Sequence, residues 1–193
     1  MDINQILYDQ REEILTLNTS TSCSRLEENL FDLQSNLAQV VIGVRRSGKS
    51  TLCMKVLKES GVLFGYVNFD DEQLAGLKTD QLNDVLGAIY KVYGDVTHVL
   101  FDEIQNIPQW PLFVNRLLRQ GLHVVMTGSN ANLLSVELAT HLTGRYNQIE
   151  LYPFSFREYC SIRQIDTQSQ STKAKAFRHA ALEEYLMQGG FPE

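Results

Sequence analysis

Ala38-Gln39-Val40-Val41-Ile42-Gly43-Val44-Arg45-Arg46-Ser47-Gly48-Lys49-Ser50-Thr51 decides how the rest of the chain is read. Residues 38–42 are a short apolar run of the kind that forms a buried strand. Residues 43–50 fit G-x-x-x-x-G-K-[ST], the Walker A phosphate loop, and residues 51–59 open a helix. Each residue type has a task. Gly43 and Gly48 let the backbone curl so that successive N–H groups converge on phosphate oxygens. The next helix turns its positive end toward the same oxygens. Lys49 adds a mobile charge for the β- and γ-phosphates, and the Ser50 hydroxyl is placed to ligate Mg²⁺. Gly43, Val44, Arg45, Arg46, Ser47, Gly48, Lys49, Ser50 and Thr51 are therefore the expected nucleotide contacts.

Downstream, His98-Val99-Leu100-Phe101-Asp102-Glu103 is an apolar strand ending in two acids, the Walker B pattern, one strand–helix unit after the loop. Acids at the carboxyl end of a strand lie where open α/β sheets bind ligands. Asp102 is expected to hold Mg²⁺ through water, and Glu103 to act as general base on the attacking water. The adjacent glutamate favours hydrolysis over transfer to another acceptor. Thr127, Ser129 and Asn130 end the next strand. They read either as γ-phosphate or water contacts or as a turn whose Asn130 caps a helix. Asn68 ends the second strand at the same edge, where it serves as a turn residue or as a hydrogen-bond partner of Glu103.

Around these motifs, strands are expected at 62–69, 96–101, 122–126 and 148–152. Helices are expected at 80–93, with Leu82, Val85, Leu86, Ile89 and Tyr90 inward, and at 110–119 and 131–142. Their alternation predicts an α/β fold, a parallel sheet covered on both faces. A helix at 2–17 and a second near 24–33 precede it, and 155–187 is helical with a polar break at 166–172. The expected organisation is an N-terminal helical segment over 1–35, the phosphate-loop core over 36–153, and a C-terminal helical extension over 154–193. The extension ends in Gly189-Gly190-Phe191-Pro192-Glu193, which reads as a turn into a further domain.

The chain has 193 residues and a formal net charge of −6. Acidity argues against a nucleic-acid partner bound through the overall field. Three scattered cysteines, Cys23, Cys53 and Cys160, suggest reduced thiols, and no apolar run approaches a membrane span. The expectation is a soluble cytoplasmic protein with no membrane partner. His98, His123, His141 and His179 lack metal-ligand spacing.

Six stretches in this order resemble a known group: 43–51, 101–105, Thr127-Gly128-Ser129-Asn130, Leu142-Thr143-Gly144-Arg145, 151–159 and 189–193. They are similar to the prokaryotic predicted ATPases of the AAA+ superfamily that carry a C-terminal domain of unassigned function, over roughly residues 30–193. The resemblance implies a P-loop NTPase three-layer sandwich with sheet order 5-1-4-3-2, and ATP hydrolysis with Mg²⁺. It also implies a sensor position at the end of strand four and an arginine finger in the region of Arg145, which reads otherwise as a surface arginine pairing with an acid such as Glu150. The partners expected are ATP and ADP, with a homo-oligomer or a protein partner. The rival reading is an ATP-binding switch or interaction module with little turnover.

Overall fold

The computed structural model describes residues 2–16, 23–129, 140, 142 and 144–191. Five parallel strands form one sheet: β1 (Ala38–Ile42), β2 (Phe64–Asn68), β3 (His98–Asp102), β4 (His123–Gly128) and β5 (Tyr146–Glu150), in spatial order β2-β3-β4-β1-β5. This is the expected order read from the other edge. The helices are α1 (Ile3–Thr16), α2 (Lys49–Ser60), α3 (Leu82–Tyr93), α4 (Trp110–Arg119), α5 (Phe156–Ile162) and α6 (Thr172–Gln188). The expected helix over 131–142 lies almost wholly outside the described residues.

The three layers follow from strand alternation. Val40 and Ile42, Val99 and Phe101, and Val124 and Met126 face one side, where α3, α4 and the first half of α1 cover them. Val41, Leu100, Val125 and Ile149 face the other, under Leu52, Cys53, Met54 and Leu57 of α2. In α3 the buried residues are Leu82, Val85, Ala88, Ile89 and Val92, a helical stripe. Tyr90, expected inward, is exposed because it lies about 100° around the helix from Ile89.

Both edges of the sheet are covered. Gln10 of α1 donates from Nε2 to the Asn68 carbonyl (3.1 Å) and accepts from Asn68 N–H (3.0 Å), standing in for a neighbouring strand beside β2. At the other edge, Asn147 of β5 donates to the Leu30 carbonyl (3.0 Å). Leu30 ends a short 3₁₀ turn (Leu26–Leu30) where an α-helix was expected. β5 begins two residues earlier than its apolar pattern suggests. Its register is fixed by pairing Ala38 with Tyr146 and Ile42 with Glu150, and only Ile149 is buried, so the edge strand carries little apolar signal. His98 and His123 stack at 4.6 Å, their ring N–H groups donating to the Leu33 and Ser35 carbonyls, and so pin the connection into β1. Among the described residues no helix is long and apolar enough to cross a membrane.

Candidate functional site

The loop after β1 is shaped by its glycines and by what presses on it. A side chain at Gly43 would collide with the carbonyl of Leu151, the residue that continues β5 and donates its N–H to Ile42 O (2.8 Å). Gly48 sits at φ 90°, a left-handed conformation that other residues enter only with strain. Helix α2 begins immediately after it. Its first helical bond runs from Leu52 N to Gly48 O (2.9 Å), so the N–H groups before Leu52 have no acceptor within the helix. Ser47 is fully buried, and its hydroxyl has no hydrogen-bond partner.

Lys49 is 4% exposed. Its Nζ donates to the Gly43 and Val44 carbonyls (3.2 and 3.1 Å) and lies 3.8 Å from Glu103 Oε1. The loop thus holds its own cation folded back, next to the acid expected to do chemistry.

Asp102 is the last residue of β3. Its Oδ1 accepts from Ser50 Oγ (2.8 Å) and from Thr127 Oγ1, and its Oδ2 accepts from the Tyr66 hydroxyl (3.3 Å). Burial pushes the Asp102 carboxyl above its ordinary range, against the pull of the hydrogen bonds from Thr127 and Ser50. Glu103 follows in a left-handed conformation (φ 52°). Its backbone N–H donates to Thr127 Oγ1 (3.1 Å). Its Oε2 accepts from Gln105 Nε2 (2.5 Å), Ser129 N–H (2.9 Å) and Ser129 Oγ (2.8 Å). Burial alone would raise the Glu103 carboxyl, but the hydrogen bonds from Gln105 and Ser129, with Lys49 nearby, outweigh it and hold the group below the usual range. Glu103 is therefore ionised at neutral pH.

Of the residues singled out in the sequence, the structure gathers Lys49, Ser50, Asp102, Glu103, Thr127 and Ser129 at the carboxyl ends of β1, β3 and β4. Asn68 stands apart from Glu103. Its Oδ1 accepts from Asp70 N–H (2.9 Å), which is turn chemistry. Arg45, an expected nucleotide contact, is exposed and pairs with Asp70 (3.2 Å). Arg46 adopts a left-handed conformation (φ 65°) at the loop tip. Asn130 lies outside the described residues. Arg145 is at the other end of the sheet: its carbonyl accepts from Ala38 N–H (2.9 Å) where β1 begins, and its side chain donates to Asn115 (3.2 Å). Tyr66 and Gln105 escaped the sequence reading. Nothing local marks Tyr66 as a partner of Asp102, although Gln105 lies inside the quoted 101–105 stretch.

A cavity of about 1170 Å³ opens over the loop. Lys49, Ser50 and Glu103 line one part of it, and Arg25, Lys55, Leu151, Phe154 and Tyr159 line the remainder. The residues present fit a nucleoside polyphosphate. The buried, unpartnered Ser47 hydroxyl, the free helix-start N–H groups and the Lys49 ammonium together make an anion cradle. The adjacent Ser50 hydroxyl and Asp102 carboxylate are hard oxygen donors of the kind Mg²⁺ takes.

Comparison with known proteins agrees with this geometry. The sequence model of a family described as an AAA domain matches residues 35–160. An uncharacterized protein of Methanocaldococcus jannaschii is 36% identical over 160 residues, covering 82% of this chain and 36% of that protein. An uncharacterized protein of Haemophilus influenzae is 36% identical over 166 residues, covering 82% of this chain and 40% of that one. The chain thus spans well under half the length of these curated relatives. Among solved structures, the Walker-type ATPase PABY2304 of Pyrococcus abyssi superposes with a TM-score of 0.56 at 15% identity, over 86% of this chain and 63% of that one, a likeness of fold. With the family match spanning the sheet, the phosphate loop and the paired acids, the chain belongs to the AAA-domain family of P-loop ATPases.

Proposed function

We propose that this domain binds ATP with Mg²⁺ and hydrolyses its terminal phosphoanhydride bond, using turnover to change its own conformation. The observation that carries the reading is the convergence of Lys49, Ser50 and Glu103 on one cavity, with the buried Asp102 hydrogen-bonded to Ser50 behind it. Lys49 exchanges the Gly43 and Val44 carbonyls for phosphate oxygens. Ser50 and Asp102 hold Mg²⁺, which neutralises phosphate charge when bound. Thr127 and Tyr66 keep Asp102 oriented. Glu103 accepts a proton from the attacking water as the water oxygen bonds to the γ-phosphorus and the bond to the leaving ADP oxygen breaks. Ser129 and Gln105 aim that carboxylate. The test is release of inorganic phosphate from ATP. Release is expected in Mg²⁺ and is expected to stop in EDTA. Release at the buffer rate while ATP binds would favour the switch reading, which the three donors tying down Glu103 Oε2 support.

Arg145 is proposed as an arginine finger acting on a neighbouring subunit. The five residues of β1 put Arg145 roughly 15 Å or more from its own phosphate loop, so it does not serve its own site as folded. Its planar, permanently charged fork suits several phosphate oxygens at once. Arg145→Ala is expected to leave ATP affinity within about twofold and to lower turnover of the assembled protein at least ~10-fold. Mixing Arg145→Ala with Glu103→Gln subunits is expected to restore turnover, as an intact finger then meets an intact site. Mixed assemblies no faster than either variant alone would exclude action in trans.

A further inference from the structure

The part of the cavity away from Lys49 is assembled from segments far apart in sequence, and one buried side chain joins two of them. Arg25 enters from an extended residue just before the 3₁₀ turn, with its side chain 6% exposed. Its Nε lies 2.8 Å from Glu158 Oε1 in α5, and its Nη2 donates to the Tyr152 carbonyl (2.7 Å). Its guanidinium lies over the Phe154 ring, 4.6 Å from the centroid. An arginine's planar fork can face a carboxylate, a carbonyl and an aromatic ring together; here the carboxylate contact is an ion pair at Nε and the carbonyl contact a hydrogen bond from Nη2. Glu27 Oε2 also lies 3.6 Å from this Nε, so the buried guanidinium faces two carboxylates, of which Glu158 is the nearer and the one that ties it to α5.

Both partners are themselves anchored. Glu158 Oε2 accepts from Ser155 N–H and Oγ (2.7 Å each), capping α5. Phe154 is fixed through its backbone, its N–H donating to Gly190 O (2.6 Å) and its carbonyl accepting from Tyr185 OH (2.7 Å). On the other side, Glu28 Oε1 accepts from Arg25 N–H and from Lys55 Nζ of α2 (2.7 Å each). Helix α2, which starts at Lys49, is thereby linked through Glu28 and Arg25 to α5.

We propose that the Arg25–Glu158 ion pair is a clasp that forms the nucleoside end of the ATP cavity, making Arg25 a positioning residue for the base and sugar and not for the phosphates. The inference rests on the ATP reading above. Lys49, Ser50 and Glu103 mark the polyphosphate end; past Thr51 and Lys55 the wall includes Phe154, Tyr159, Ile162 and Phe191 beside Arg25, Arg163 and Gln188, aromatic and apolar surface suited to a planar base with polar groups at its margin. Opening the clasp frees Phe154 on one side and loosens that wall without touching residues 43–50.

The test uses two probes on the 193-residue chain in Mg²⁺: ATP, and inorganic tripolyphosphate, which has no nucleoside. Arg25→Met keeps the bulk over Phe154, and Glu158→Gln keeps the size of the capping side chain. Each is expected to weaken ATP at least tenfold while tripolyphosphate stays within about twofold of the parent. The double variant is expected to lose no more than the worse single one, because the two groups act as a unit. Tripolyphosphate binding also reports that each variant is folded. Equal losses for both probes, or unchanged ATP affinity in both single variants, would overturn the clasp while leaving the ATP reading intact. A parent that binds neither probe would overturn the ATP reading and the clasp with it.

Discussion

Glu103→Gln is expected to bind ATP as the parent does and to hydrolyse it about a hundredfold more slowly or worse, the scale on which a general base acts. Glutamine has the length and shape of Glu103 and still accepts hydrogen bonds from Ser129 N–H and Oγ through its carbonyl oxygen. It cannot take the proton from water. The hydrogen bonds that hold the Glu103 carboxyl below its usual range also fix the sign of a second effect. A group whose folded pKa is depressed contributes stability above its unfolded pKa and loses it as pH falls through the folded value. The thermal midpoint of the parent should therefore exceed that of Glu103→Gln by more at neutral pH than in acid. Phosphate release at parental rate in the variant would remove Glu103 as the base.

Lys49→Ala is expected to weaken ATP binding about a hundredfold or more, or about 2.8 kcal/mol at ~1.4 kcal/mol per tenfold. The nearly buried ammonium already sits among phosphate-loop carbonyls, beside Glu103, at the cavity floor. Removing it leaves the cradle of N–H groups without its cation. The fold should survive, because the polar contacts of the Lys49 ammonium are with the loop carbonyls and Glu103 and tie no further element together. Calorimetric titration of the variant with Mg²⁺-ATP checks the loss, and unchanged affinity would detach Lys49 from the phosphates.

What was legible in the sequence was local. β1, the phosphate loop and the start of α2 are contiguous, and each position is constrained by its own neighbours. Walker B was readable because Val99, Leu100 and Phe101 run straight into Asp102 and Glu103. The sheet order was available only through the resemblance; the alternation of strands and helices gave a parallel sheet covered on both faces. Interactions between distant segments were not legible. Arg25 meets Tyr152 across 127 positions, and Tyr66 meets Asp102 across 36, and neither pairing leaves a local pattern. Asn68 read as a turn residue or as a partner of Glu103; the nearby Asp70 N–H claims its side chain, while Gln105 and Ser129 supply Glu103 with donors. β5 was misplaced by two residues because an edge strand with one buried side chain has almost no hydrophobic period.

The central claim is that residues 43–50, with Asp102, form a Mg²⁺-dependent ATP site. Titration of the parent chain with ATP in a calorimeter, once in Mg²⁺ and once in EDTA, addresses it most directly. The account predicts one ATP bound per chain in Mg²⁺ and much weaker binding in EDTA. No binding in Mg²⁺, or binding of equal strength in both, would contradict it.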